Sequence, residues 1–176
     1  MKQIIHFEPL TPAKFNRYIS IGTKAYNQHY LHLWPNGDSS PYIKNSFTIE
    51  VLKNEERDEN TRLFLINLNN ECIGILKFTI SKEIGLTSKE DGLYVDKIYM
   101  INEACGLGIG TKALTFVLLR AKELHKSLVW LDAMQKGPAL NFYKKNGFTI
   151  HGKTEIPFKQ AIDSEKPMFI MTKKVS

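Results

Sequence analysis

The spacing of apolar residues divides the chain into segments with helical and strand periodicity. Apolar side chains recur at three- and four-residue steps over residues 15–33 and 112–125, which predicts two amphipathic helices. The first begins at Thr11-Pro12, where a hydroxyl cap precedes a proline suited to the first helical turn, and ends near Trp34-Pro35. A weaker pattern predicts a further helix over residues 41–57.

Shorter runs of apolar and β-branched residues predict the strands. Their ranges are 2–8, 62–68, 71–81, 93–101, 127–133, 148–156 and 167–174. The resulting order, β-αα-βββ-α-β-α-ββ, favours the α/β (α+β) class: a mixed, mostly antiparallel central sheet of about seven strands with helices on both faces. A chain of 176 residues without a linker or repeat is expected to form a single domain over residues 1–176.

The junction before the second amphipathic helix carries three alternating glycines. A short apolar strand ends at Met100, and Gly106, Gly108 and Gly110 then lead into the helix. A helix start offers unpaired backbone N–H groups and partial positive charge, and glycine lets an anion approach the main chain. The spacing fits neither a Walker loop nor the dinucleotide pattern. It predicts a phosphate-binding turn, with a purely structural tight turn as the alternative.

Charge and composition limit the classes of ligand and partner that this chain is expected to bind. Residues 1–87 carry 10 basic and 9 acidic residues, whereas residues 88–176 carry 14 and 9, so the excess positive charge lies beside the glycines. That suits an anionic cofactor, and without a basic run interleaved with aromatics we expect no nucleic-acid partner. No apolar run approaches membrane-spanning length, and Glu8 and Pro9 come too early for a signal peptide, so we expect a cytoplasmic protein without membrane association. Cys72 and Cys105 lack CxxC spacing, which indicates neither a disulfide framework nor a metal site.

A second motif lies downstream of the glycines. Residues 139–148 read Ala-x-x-Phe-Tyr-x-x-x-Gly-Phe and predict a short helix closed by Asn146-Gly147. A glycine loop on a helix, a strand, and then this helix together resemble the GNAT family of N-acetyltransferases in order and spacing. The resemblance covers nearly the whole chain and is strongest over residues 93–148. It implies an acetyl-CoA-dependent enzyme in which an amine attacks the thioester directly in a ternary complex.

The resemblance also assigns the cofactor-binding residues. In that family the pantetheine arm pairs with the backbone of the strand before the loop, here Ile98, Tyr99 and Met100. The pyrophosphate sits on loop amides, here those of Gly106, Leu107, Gly108, Ile109, Gly110 and Thr111. Two positions depart from the family pattern: Cys105 replaces a long polar side chain, and Lys136 stands where an asparagine often contacts the pantetheine. Lys136 either reaches the cofactor or is an exposed loop lysine.

Two residues are implied to carry the chemistry. By resemblance, Tyr143 returns a proton to the CoA thiolate. Reference pKa values of about 10 for tyrosine and about 8.5 for a thiol make full transfer uphill by roughly 2 kcal/mol, so Tyr143 must be tuned or act mainly as a hydrogen-bond donor. The acceptor amine must lose a proton, and Asp96, two residues before Ile98 and so expected on the same strand face, is the leading acceptor of that proton. A rim aspartate paired with Lys97 or with another basic residue is the alternative.

The resemblance places acceptor specificity in the first two helices and their connection. Tyr26, Tyr30 and Trp34 are predicted to wall an aliphatic amine, with a core-facing stripe as the alternative, and His29 is expected only to pack. Several segments look most similar to the spermidine/diamine acetyltransferase branch, which favours a polyamine-like small-molecule amine and no metal. A protein lysine or N-terminus as acceptor, a non-catalytic acyl-CoA-binding module and a homodimer stay open.

Overall fold

A computed structural model describes residues 3–85, 88 and 90–176. The strands are β1 (Ile5–Pro9), β2 (Thr61–Leu68), β3 (Glu71–Thr79), β4 (Gly92–Met100), β5 (Leu128–Met134), β6 (Thr149–Glu155) and β7 (Pro167–Lys174). The α-helices are α1 (Phe15–Tyr30), α2 (Ser40–Ser46), α3 (Ile49–Arg57), α4 (Ile109–Glu123) and α5 (Ala139–Lys145). The start of the first predicted strand, Lys2, lies outside the described residues.

One sheet runs through the molecule in the order β1-β2-β3-β4-β5-β7-β6. Every neighbouring pair is antiparallel except β4 and β5, which run parallel, so the predicted fold class is confirmed. The β4–β5 pairing joins Gly92 to Leu128 and ends at Tyr94 and Trp130. Beyond that point the two strands diverge and leave a gap in the middle of the sheet.

The strands alternate apolar side chains between two cores. On one face Phe64, Leu76 and Val95 pack with Leu114 and Val117 of α4. The opposite face carries Leu63, Leu65 and Ile75, which pack with α1 and α3 through residues such as Tyr18 and Leu52. This two-sided burial follows from the two-residue period of the strands. Within the described part of the chain, no helix combines the length and apolar character needed to cross a membrane.

The helix predicted over residues 41–57 is two helices. Phe47 is 3% exposed, and its backbone leaves the helical region so that the ring reaches the core. Thr48 is extended, and its hydroxyl accepts a hydrogen bond from the Val51 N–H at 3.2 Å, which starts α3 as a side-chain cap. The apolar spacing continues across this break, which explains why the pattern alone predicted one helix.

A bulge in β4 changes which side chains share a face. Lys77 pairs with Lys97 and Phe78 with Val95, so Asp96 is an extra residue with no opposite partner on β3. The side chain of Asp96 contacts Lys77 and Thr79, whereas Ile98 pairs with Leu76 on the α4 face. The expectation that Asp96 and Ile98 share a face was therefore wrong, because the bulge interrupts the strand alternation.

Candidate active site

The divergence of β4 and β5 leaves one edge of β4 without a strand partner. The Ile101 N–H donates to the Ile73 carbonyl of β3 at 3.0 Å. Strand alternation therefore turns the backbone polar groups of Ile98 and Met100 away from β3, towards the gap. An extended ligand with amide groups can pair with such an edge as a further strand does.

A groove of about 480 Å³, here called the cofactor groove, runs along this edge to the start of α4. It is lined by most of the predicted cofactor residues: Ile98, Tyr99, Met100, Gly106, Gly108, Ile109, Gly110, Thr111 and Lys136. Leu107 stands apart from this lining, and its side chain points into solvent at 43% exposure. Any contribution from Leu107 to anion binding would come from its backbone.

The start of α4 forms one end of the groove. Gly108 is the residue before the helix and has a left-handed φ of 76°, which glycine adopts without strain. The first intrahelical bond runs from the Lys112 N–H to the Gly108 carbonyl, so the N–H groups of Ile109, Gly110 and Thr111 have no acceptor within the helix. A Cβ at Gly106 or Gly108 would meet no described atom within 4 Å, and an anion can approach there. The groove thus fits the phosphate and amide groups of coenzyme A.

Of three further side chains that line the groove, His29 differs from the sequence-based expectation. The His29 Nε2 lies 2.8 Å from the Met100 carbonyl oxygen, and since a carbonyl only accepts, this nitrogen carries a proton and donates. His29 therefore reaches the β4 edge rather than simply packing. Lys136 lines the groove and also forms an ion pair with Glu165 at 3.0 Å. Burial raises the pKa of the Cys105 thiol, which keeps it protonated.

A second cavity of about 500 Å³, here called the acceptor cavity, lies at the other side of the gap. The two cavities share the residues Tyr30, Ile98, Tyr99, Met134, Ala139 and Tyr143. Tyr143 on α5 therefore stands where a ligand in one cavity would meet a ligand in the other. Burial raises the pKa of Tyr143, so its phenol stays protonated and able to donate a hydrogen bond.

Tyrosines form one wall of the acceptor cavity. Tyr26 stacks on Tyr42 with ring centroids 3.9 Å apart, and the hydroxyls of Tyr42 and Tyr99 are 2.8 Å apart. Tyr26 and Tyr30 line the cavity, and Tyr26, which is 4% exposed, also belongs to the α1–α3 core. Trp34 does not join them: it is 2% exposed, lies in the α1–α3 core, and donates its Nε1 proton to the Tyr26 hydroxyl at 3.0 Å. Trp34 therefore contacts Tyr26 from the core side and holds its hydroxyl by this hydrogen bond.

Charged groups form another part of the cavity wall. Lys77 lies 2.5 Å from a Glu55 oxygen and 3.7 Å from an Asp96 oxygen. The Thr79 hydroxyl donates to the other Asp96 oxygen at 2.8 Å. Lys97 lines the same wall, and burial, together with the positive charge of Lys77, lowers the pKa of its amine to about 8.

Asp132 of β5 is a cavity residue that sequence reasoning missed. Its Oδ2 accepts a hydrogen bond from the Tyr94 hydroxyl at 2.9 Å, and burial raises the pKa of its carboxyl. The sequence signal was an aspartate inside the otherwise apolar strand Leu128–Met134. A carboxylate in a largely buried strand costs folding free energy unless it is paired or hydrogen-bonded.

Solved structures with this fold include several acetyltransferases. The PaiA N-acetyltransferase of Thermoplasma acidophilum, solved in complex with coenzyme A, is 18% identical to this chain, with 99% of both chains covered and a TM-score of 0.75. The spermidine N-acetyltransferase SpeG of Vibrio cholerae, solved as a mutant, is 14% identical, with 98% of this chain and 94% of its own covered and a TM-score of 0.69. The ribosomal-protein-S18-alanine N-acetyltransferase of Escherichia coli is also 14% identical, with 98% and 95% covered and a TM-score of 0.69. These similarities establish the fold.

The sequence comparisons point the same way. An uncharacterized N-acetyltransferase in the pepI 3' region of Lactobacillus delbrueckii subsp. lactis is 22% identical over 113 residues, which span 64% of this chain and 65% of that relative. The match thus covers a little less than two thirds of the relative's length. The family model for acetyltransferases matches residues 23–148, a range that includes β4, the glycine loop, α4 and α5. The chain therefore belongs to the acetyltransferase (GNAT) family.

Proposed function

We propose that this protein transfers the acetyl group of acetyl-CoA to a primary amine of a small molecule, by direct attack in a ternary complex. The observation that carries the proposal is the meeting of the cofactor groove and the acceptor cavity at Tyr143, across the gap between β4 and β5. Acetyl-CoA, when bound, supplies an activated acetyl thioester. The rest of the chemistry rests on residues of this chain.

The cofactor groove would hold the donor by its main chain. The β4 edge at Ile98 and Met100, which has no strand partner, suits the amides of the pantetheine arm. The N–H groups at the start of α4 suit the pyrophosphate. His29 already engages the Met100 carbonyl, so this edge is anchored to α1. Lys136 is placed to add a positive charge at the rim, in exchange for its ion pair with Glu165.

Tyr143 would serve the leaving thiolate. Because its phenol is held protonated, it can donate a hydrogen bond as negative charge develops on sulfur. The same raised pKa makes complete proton loss from Tyr143 harder than from a free tyrosine. We therefore assign Tyr143 a hydrogen-bonding role that passes into proton transfer only as the thiolate forms.

The amine must reach the thioester in its neutral form. An amine with a pKa near 10.4 is neutral in only about one molecule in 2500 at pH 7, so a group in the acceptor cavity must take a proton. Asp96, the candidate that the sequence supplies, lines this cavity. Its carboxylate is already engaged by Thr79 and Lys77, which makes it a weaker acceptor for the proton of the amine.

The acceptor class is proposed from the cavity walls. Tyrosine faces attract alkylammonium groups, and Glu55, Asp96, Asp132 and Glu155 supply negative charge around the same space. A polyamine-like amine could use both the tyrosine faces and the negative charge. One protein that shares this fold is named as a spermidine N-acetyltransferase, and spermidine is a polyamine. The lysines Lys77, Lys82 and Lys97 limit the net negative charge, so amines of lower charge belong in the same test.

A thiol-release screen tests the proposed function. Acetyl-CoA is supplied with separate panels of polyamines, simple diamines, amino acids, aminoglycosides and peptides, and each product is identified by mass spectrometry. We expect stoichiometric thiol release and N-acetylation with a small amine. Acetylation of peptides alone would favour a protein acceptor instead. Calorimetric binding of CoA without acetylation of any panel would indicate a non-catalytic acyl-CoA-binding module.

A further inference from the structure

Asp132 occupies the point where the sheet opens. It lies two residues beyond Trp130, the last β5 residue that pairs with β4. Leu131 and Ala133 on either side of it are 1% and 3% exposed in the α4 core, so Asp132 projects to the opposite face and lines the acceptor cavity. Its carboxylate therefore stands beside the space through which an amine would reach the gap.

The partners of Asp132 differ from those of Asp96. Lys77 and Thr79 already compensate the charge of Asp96. For Asp132, the described residues 3–85, 88 and 90–176 place no cationic nitrogen within 4.0 Å, and its hydrogen bond comes from the neutral Tyr94 hydroxyl. Lys82 acts on Asp132 only from beyond that distance. A half-buried carboxylate without an ion pair gains from binding an ammonium group or from taking its proton.

We propose that Asp132 is the catalytic residue that accepts the proton of the attacking ammonium group. This inference rests on the proposed function. The carboxylate takes one N–H proton, and the nitrogen lone pair then forms the bond to the acetyl carbon. The carbon–sulfur bond breaks, its electron pair goes to sulfur, and Tyr143 supplies the thiol proton. The second proton of the nitrogen restores the Tyr143 phenol through solvent, and the one held by Asp132 leaves to solvent.

Tyr94, Asp96 and Lys82 face Asp132 and set its titration. Tyr94 and Asp96 face it from β4, and Lys82 approaches from the segment after β3, with its Nζ 3.7 Å from the centre of the Tyr94 ring. On β7 its paired neighbour is the apolar Ile170. Burial and the negative charge of Asp96 raise the pKa of Asp132, and the Tyr94 hydrogen bond and Lys82 lower it. Removing the Tyr94 hydroxyl must therefore raise the pKa of Asp132 further.

The test is the pH dependence of kcat/KM with the best amine of the screen. In the wild type, kcat/KM should fall as pH drops through the pKa of Asp132, because the protonated carboxyl accepts no proton. Asp132→Asn should lower kcat/KM by about 10²–10⁴ and remove this inflection. Tyr94→Phe should keep the inflection and move it to higher pH. Asp163→Asn, the same change at an exposed aspartate whose partner is Lys166, is the matched control and should leave the profile unaltered.

Carbon-13 NMR of the aspartate carboxyl groups in the CoA complex gives a second readout that needs no turnover. Asp132 should titrate above the ordinary value of about 3.9, and higher still in Tyr94→Phe. An ordinary or lower titration, or an unchanged pH profile in Asp132→Asn, would overturn the inference while leaving the acetyltransferase activity intact. Loss of the inflection in Asp96→Asn alone would assign the role to Asp96. A wild type that acetylates no amine would overturn the proposed function itself, and the role of Asp132 with it.

Discussion

At the level of single residues, the hydroxyl is the only group of Tyr143 with a proposed chemical role, and without it the side chain would only pack. We expect Tyr143→Phe to keep the fold and the affinity for acetyl-CoA while lowering kcat by about 10²–10⁴, because only the donor to the thiolate is removed. Tyr18→Phe is the matched control: the Tyr18 hydroxyl is buried without a partner among the described residues, and its ring lies in the α1–α3 core. Removing that unsatisfied group should leave turnover unchanged and stabilise the fold slightly. Steady-state kinetics and calorimetry on both variants decide, and wild-type turnover in Tyr143→Phe would move the proton-donor role to water.

At the scale of elements, Gly108 and Gly110 at the start of α4 are each suited to their position for a different physical reason. A Cβ on Gly110 would lie 2.9 Å from the Phe142 Cζ of α5, whereas one on Gly108 meets open space but a left-handed φ. We expect Gly110→Ala to cost about 1–3 kcal/mol of unfolding free energy, because the Phe142 ring must shift. Gly108→Ala should cost about 1–2 kcal/mol through backbone strain and weaken CoA binding, because the methyl group enters the space of the anion. Urea unfolding and CoA calorimetry separate these effects. If Gly110→Ala is as stable as the wild type, Phe142 does not restrain α4.

The break between α2 and α3 depends on one cap. Thr48→Ala removes the acceptor of the Val51 N–H and should lower the unfolding free energy by about 0.5–2 kcal/mol. Thr48→Ser keeps the hydroxyl and should retain most of the stability. Equal stability of all three proteins in urea unfolding would show that burial of Phe47, rather than the cap, sets the boundary.

For the whole molecule, Lys97 links stability to pH. Burial lowers its pKa to about 8 in the folded protein, against about 10.4 in the unfolded chain. Below pH 8 both states hold the proton, and the cost of burying the charge is present in full. Between the two values the unfolded chain binds more protons, so the contribution of Lys97 to the unfolding free energy rises with pH. Lys97→Met should therefore be more stable than the wild type at pH 7, and this advantage should shrink up to about pH 10.4.

Urea unfolding at several pH values measures this advantage as a difference between variant and wild type. Lys53→Met, the same change on an exposed position of α3, is the matched control and should show little dependence on pH. A Lys97→Met protein that is less stable at pH 7 would show that Asp96 and Glu55 more than compensate the buried charge.

The sequence by itself determined the order of the elements apart from the break between α2 and α3, the mixed sheet, the glycine turn before α4 and the helix that carries Tyr143. Each of these depends on neighbours close in the chain: strand and helix periodicity, glycine at a helix start, and a closing Asn-Gly. Those local signals also carried the family resemblance that the comparisons confirm.

Only the tertiary structure decided what surrounds the gap. The bulge that turns Asp96 away from the face of Ile98, the burial of Trp34 behind Tyr26, and the reach of His29 to Met100 all depend on register and packing between distant segments. The same holds for Asp132, whose place at the opening of the sheet follows from where β4 and β5 stop pairing. A period of two residues or of 3.6 specifies which side of an element is apolar. It does not specify where two paired strands diverge, and the chemistry proposed for this protein lies where β4 and β5 diverge.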